Sequence, residues 1–171
     1  KTWEGWVYLA AVQDLYSRRI VGWSMADHMR AELVVDALKM AVHRRRPDQG
    51  LIHHSDQGSQ YVALAFGQFA RANGISQSMG QVGSAYDNSV AETFFATLKK
   101  ELVYRRSWKT RNEIRTEVFE YIEGFYNRRR RHSYLGWLAP AEFEDRACPV
   151  LTKPIPTTIT PPLEKVSLKT D

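Results

Sequence analysis

A chain of 171 residues is long enough to bury a core as one domain, and 43% hydrophobic with 12% aromatic residues excludes a disordered polymer. The net charge of +5 favours an acidic partner. A single cysteine, Cys148, excludes an intrachain disulfide and a cysteine-based zinc site, and no apolar run reaches the roughly 20 residues of a membrane span, so a reducing cytoplasm is the expected compartment. Because it opens on Lys1 and not on Met, the chain is expected to be a piece of a longer protein.

Gly5 to Asp14 reads as a strand with partly alternating apolar residues, followed by a turn at Tyr16 to Arg19 and a second strand from Ile20 to about Met25. Leu33, Val34, Ala37, Leu38, Ala41 and Val42 are spaced as one face of a helix over Ala31 to Arg46, closed by basic residues and Pro47. Leu51 to His54 is a short strand leading into Ser55 and Asp56. The pattern then predicts a helix from Val62 to Asn73 with Leu64, Phe66, Phe69 and Ala70 inward, and a strand from Ile75 to Ser78. Gly80, Gly83 and Ser84 mark a loop over Met79 to Asp87. Helices follow from about Ser89 to Val103 and from Thr110 to about Arg128, the latter burying Ile114, Val118, Tyr121, Ile122 and Phe125. Five of the seven prolines fall at or after position 149, which predicts an extended tail over 147–171. This order indicates a mixed α/β sheet flanked by helices, with one domain over 1–146.

Two acidic residues invite a chemical reading. Asp56 sits just past the carboxyl end of a strand, where side chains of open α/β sheets meet ligands. Asp-x-Gly is equally a common turn. Glu92 completes a capping box with Ser89, a role that needs no metal. Lys99 lies seven residues on, on the same side of the helix, where an ammonium could meet phosphate beside the carboxylate. Asp87, before that helix, reads as a cap. From Lys99 to Arg131 the chain carries eleven Lys and Arg against five Glu, which concentrates the positive field there. Arg128, Arg129, Arg130 and Arg131, with Tyr126, Asn127, His132, Ser133 and Tyr134 around them, offer phosphate forks beside polar and aromatic groups. Lys99, Lys100 and His132 join them as candidate DNA-binding residues. The plainer reading is a solvated charge run ending a helix.

The run from His54 to Tyr61, the 35 residues between Asp56 and Glu92, the Asp87 to Glu92 run and Lys99 together resemble the catalytic core shared by retroviral integrases and insertion-sequence transposases of the OrfB type. Tyr8 to Trp23, Tyr126 to Trp137, Pro140 and Phe143 extend the likeness over about Gly5 to Glu144. The resemblance implies an RNase H-like fold, DNA strand cleavage and strand transfer at the ends of a mobile element, and a homo-oligomer in the active complex. It implies a triad of carboxylates holding two Mg²⁺ (or Mn²⁺) ions roughly 4 Å apart, with Asp56 second and Glu92 third. The first Asp of that pattern belongs to a strand expected upstream of Lys1. Asp14, a turn residue expected to pair with Arg18 or Arg19, is a weak substitute, and Glu4 lies on the wrong side of the turn. The absent strand is expected to be central, lying between the hairpin and the strand that delivers Asp56. Its loss would expose two unpaired edges and make the piece unstable or prone to aggregate. A catalytically inactive DNA-binding remnant and an RNase H-like nuclease are the alternatives.

Overall fold

The computed structural model describes residues 1–55, 60, 63–79, 85–147, 158–160 and 163–165, with 79, 85–88, 158–160 and 163–165 described by backbone alone. β1 (Tyr8–Asp14) and β2 (Ile20–Ala26) pair antiparallel, as the expected hairpin. Successive side chains of a strand point to opposite faces. Accordingly Leu9 and Ala11 join one apolar cluster and Ala10 and Val12 the other, which makes β1 an interior strand covered on both sides.

The helix α1 (Ala31–Arg45) lies on β2 and buries Leu33, Val34, Ala37, Leu38 and Ala41 of the expected stripe together with Val35, while Val42 is only partly buried. Gly22 permits this close approach: a Cβ there would stand 2.2 Å from the carbonyl oxygen of Ala37. β3 (Leu51–Ser55) and β4 (Ile75–Met79) are parallel, joined by α2 (Leu64–Ala72). The helix begins later than expected, so Leu64 is 69% exposed while Phe66 and Ala70 remain buried.

On the opposite face, α3 (Ala85–Glu101) begins four residues before Ser89. Asp87 is therefore inside a helix and not in a loop before one. In α4 (Arg111–Phe119) the Thr110 hydroxyl accepts the Glu113 N–H at 3.1 Å, the capping its sequence predicts. The chain then continues as a π-helical stretch over Glu120–Tyr126. Its wider turn shifts the buried stripe by one position. Tyr126 occupies the core in place of the expected Phe125, which is 42% exposed. A last helix, α5 (Pro140–Ala147), follows.

The sheet holds the main departure from expectation. Among the described residues its order is β2-β1-β5-β3-β4, where β5 (Thr158–Thr160) comes from the proline-rich C-terminal stretch. β5 is antiparallel to β1, with Ile159 opposite Asp14, and parallel to β3, with Thr158 opposite Ile52. β6 (Leu163–Lys165) continues along β1 in the same register, with Leu163 opposite Ala10. The two edges expected to lie bare are thus paired by the chain's own C-terminal residues, and 158–160 and 163–165 are not simply a tail. Unpaired N–H and C=O groups on both flanks account for the capture.

Candidate active site and nucleic-acid interface

β3 ends at the buried Ser55, so position 56 follows directly on a strand inside the sheet. Asp56 itself lies outside the described residues. Glu92 is on the exposed side of α3, while Ala91, Phe94, Phe95 and Leu98 of the same helix are buried in the core. Standing seven residues after Ala85, Glu92 is too far along to cap the helix start, which overturns the capping-box reading. The Thr93 hydroxyl donates to the Ser89 carbonyl oxygen at 2.6 Å. Lys99 is half-buried two turns further along, about 10 Å by helical rise, and Lys100 is exposed. Among the described residues no three His, Cys, Asp or Glu side chains gather closely enough to hold a metal ion.

Asp14 is accounted for by structure. Its carboxylate accepts the N–H groups of Tyr16 at 2.9 Å and Ser17 at 3.2 Å and faces Arg45 at 3.5 Å. The expected partners Arg18 and Arg19 are not the ones it uses. Burial pushes its pKa up, against the opposing pull of those hydrogen bonds and Arg45. Glu4 accepts the Arg111 N–H at 2.8 Å and so secures the start of α4.

The basic run divides into two kinds of residue. Arg128, Arg129 and Arg131 are exposed. Arg130 is partly buried, with its Nε 3.2 Å from both carboxylate oxygens of Glu101, which also accepts from the Tyr121 hydroxyl at 2.7 Å. Asn127 is a structural clamp, 2% exposed: its Nδ2 donates to the Ile20 carbonyl and its Oδ1 accepts the Ile20 N–H, each at 2.9 Å. Burial, helped by Arg130 and Arg18, lowers the His132 pKa to about 4, so its imidazole is neutral at physiological pH and adds no cation. The candidate residues therefore lie on two surfaces: Glu92, Lys99 and Lys100 on α3, and the arginines after the π-helical stretch.

Between those surfaces is a cleft of about 490 Å³. One wall is the hydroxyl stripe Ser89, Thr93 and Thr97 of α3, and the other is formed by Arg131, His132, Tyr134 and Trp137. Residue spacing alone does not reveal it, because Gln13 and Arg18 reach it from the hairpin. Its one sequence signal is Tyr134 and Trp137 following the arginine run.

Comparison with known proteins places these features in company. Two family models, each described as an integrase core domain, match residues 1–85 and 92–147. The chain is 45% identical over 145 residues to the insertion element IS600 uncharacterized 31 kDa protein of Shigella sonnei, covering 85% of this chain and 53% of that one. It is 43% identical over 146 residues to the transposase InsF for insertion sequence IS3A of Escherichia coli (strain K12), covering 85% and 51%. It spans about half the length of these curated relatives. Among solved structures, a simian T-cell lymphotropic virus intasome in complex with PP2A regulatory subunit B56 gamma superposes with a TM-score of 0.64 at 12% identity, covering 96% of this chain and 54% of that one. The HTLV-2 integrase catalytic core domain in complex with magnesium, in its dimeric form, gives 0.50 at 12% identity, covering 84% and 88%. The α/β architecture is thereby RNase H-like.

Proposed function

This chain belongs to the integrase core domain family, and from that premise we propose that it carries out DNA transposition as the catalytic core of an insertion-sequence transposase. The observation that carries the reading is the combination of β3, which leads through Ser55 to position 56, with a surface carboxylate at Glu92 whose helix also carries Lys99.

Asp56 and Glu92 are the residues that would hold Mg²⁺ or Mn²⁺, since hard cations prefer carboxylate oxygens and Mg²⁺ needs few protein ligands. Glu92 fits on its chemistry and its exposure. When bound, the divalent ions (two in the complete site) supply charge stabilisation for an in-line displacement at phosphorus. Lys99 and Lys100 offset phosphate charge along α3, and Arg128, Arg129 and Arg131 extend the grip on DNA. Arg130 supports that surface from its pairing with Glu101, and His132 offers a neutral hydrogen-bonding edge. The substrates are transposon ends and target DNA, held by more than one copy of the chain and met in the bacterial cytoplasm.

The test is Mg²⁺-dependent strand cleavage and transfer by the complete transposase. Asp56→Asn and Glu92→Gln should each lower activity at least a hundredfold, beyond the ten- to hundredfold typical of losing an outer-shell partner. Activity that survives both changes overturns the assignment.

A further inference from the structure

The cleft between α3 and the 131–137 segment carries features that phosphate binding leaves unexplained. Gln13 is 3% exposed and lines its floor. Its Nε2 donates to the Arg18 carbonyl oxygen at 2.9 Å and to the Tyr126 hydroxyl at 3.1 Å, which uses both protons. A carbonyl oxygen only accepts, so the amide cannot be turned over, and Oε1 is a buried acceptor without a partner among the described residues. His132 Nε2, in the adjacent wall, is also without one. Such groups in a native interior call for a specific explanation.

The rim supplies the complementary part. Tyr134 and Trp137 are 68% and 67% exposed, and the Arg18 guanidinium lies 4.0 Å over the Tyr134 ring. Trp137 has φ +65, the left-handed region that disfavours a large side chain. Its N–H donates to the His132 carbonyl at 2.9 Å, which holds the turn. A strained backbone that presents an exposed indole is the kind of outlier that accumulates at ligand sites. The exposed Arg131 adds a cation at the same rim.

We propose that this cleft binds one unpaired DNA nucleotide, its base stacked on Trp137 with its edge turned toward the Gln13 floor, and its phosphate held by Arg131. This deepens the DNA-binding reading given above and rests on it. A buried acceptor in the floor disfavours an anion above it and suits a hydrogen-bond donor. Aromatic stacking accepts any base, and basic residues follow the backbone.

The test uses the 171-residue chain and three DNA duplexes: fully paired, with one unpaired 2-aminopurine, and with an abasic residue at that position. The unaltered chain should bind the unpaired 2-aminopurine duplex about tenfold more tightly than the other two and quench its fluorescence, the size expected of one base–aromatic stack. Trp137→Ala and Trp137→Gly should abolish the preference while leaving affinity for the fully paired duplex within about twofold. Trp137→Phe should restore part of it, and Trp137→Gly, which relieves the positive φ, should not lower the melting temperature. Equal affinity for all three duplexes, or a preference untouched by Trp137→Ala, overturns the nucleotide site while the DNA-binding reading stands. Failure to bind any duplex overturns the broader reading instead. Displacement of the probe by polyglutamate but not by deoxyadenosine monophosphate would assign the cleft to an acidic peptide and also overturn the proposal.

Discussion

Arg128 to Arg131 are four identical residues in sequence with two different occupations in space. Arg128, Arg129 and Arg131 project into solvent, whereas Arg130 is tied to Glu101. Replacing the three exposed arginines by Gln should lower the slope of log affinity against log salt by about one for each phosphate no longer neutralised. Arg130→Gln should chiefly reduce thermal stability, because it leaves the half-buried Glu101 without its cation. Anisotropy titrations at several salt concentrations check the first, and an unchanged slope in the triple variant sinks it. Periodicity cannot separate these four residues, since the ion pair joins positions 29 residues apart. His53 makes a second residue-scale prediction. It is fully buried against the Phe66 ring, and burial lowers its pKa to about 3 from an ordinary 6.5. Above pH 6.5 both folded and unfolded chains hold it neutral. As pH falls from 6.5 toward 3, only the unfolded chain takes up the proton, so stability declines across that window. Urea midpoints between pH 7 and pH 4.5 should show this fall, and His53→Leu should flatten it.

Elements whose pattern and packing agree are legible directly. The α1 stripe and the β1–β2 hairpin lie where their spacing puts them. Misreadings arise where a local signal is shared by two structures. Ser89 to Glu92 has capping chemistry, yet α3 is already formed when it reaches Ser89. Phe125 has the right spacing for the core, but the π-helical stretch inserts one position and gives that place to Tyr126. The strand that leads to position 56 is legible, whereas the Gln13 and Trp137 cleft is not, because it forms only when the hairpin, α3 and the 131–137 segment meet. The contact between α1 and β2 rests on a single missing methyl. Gly22→Ala would bring a Cβ within 2.8 Å of Ala41 Cβ and should destabilise the fold by about 1–3 kcal/mol, read from denaturant midpoints. A change below that range would mean that α1 can ride outward freely.

At the scale of the molecule, the two helical layers and the hydrophobic clusters divide across one sheet, with α1 and α2 on one face and α3 and α4 on the other. The proline content of the C-terminal stretch says nothing about what lies beside it. Its destination depends on backbone groups of β1 and β3 that need partners. Deleting residues 158–171 should therefore uncover both flanks, lower the melting temperature and produce concentration-dependent association, visible by light scattering. A deleted chain that melts as a monomer at the same temperature would show that these pairings contribute nothing.

The same arrangement sets a schedule. Asp14 and Ile159 are neighbours across a ladder although they are 145 positions apart along the chain. The hairpin and α1 close short loops and can form in microseconds, but the centre of the sheet waits for its most distant segment. Refolding should begin at the rim and finish in the middle, and the slowest step should report on the joining of β1 to β3.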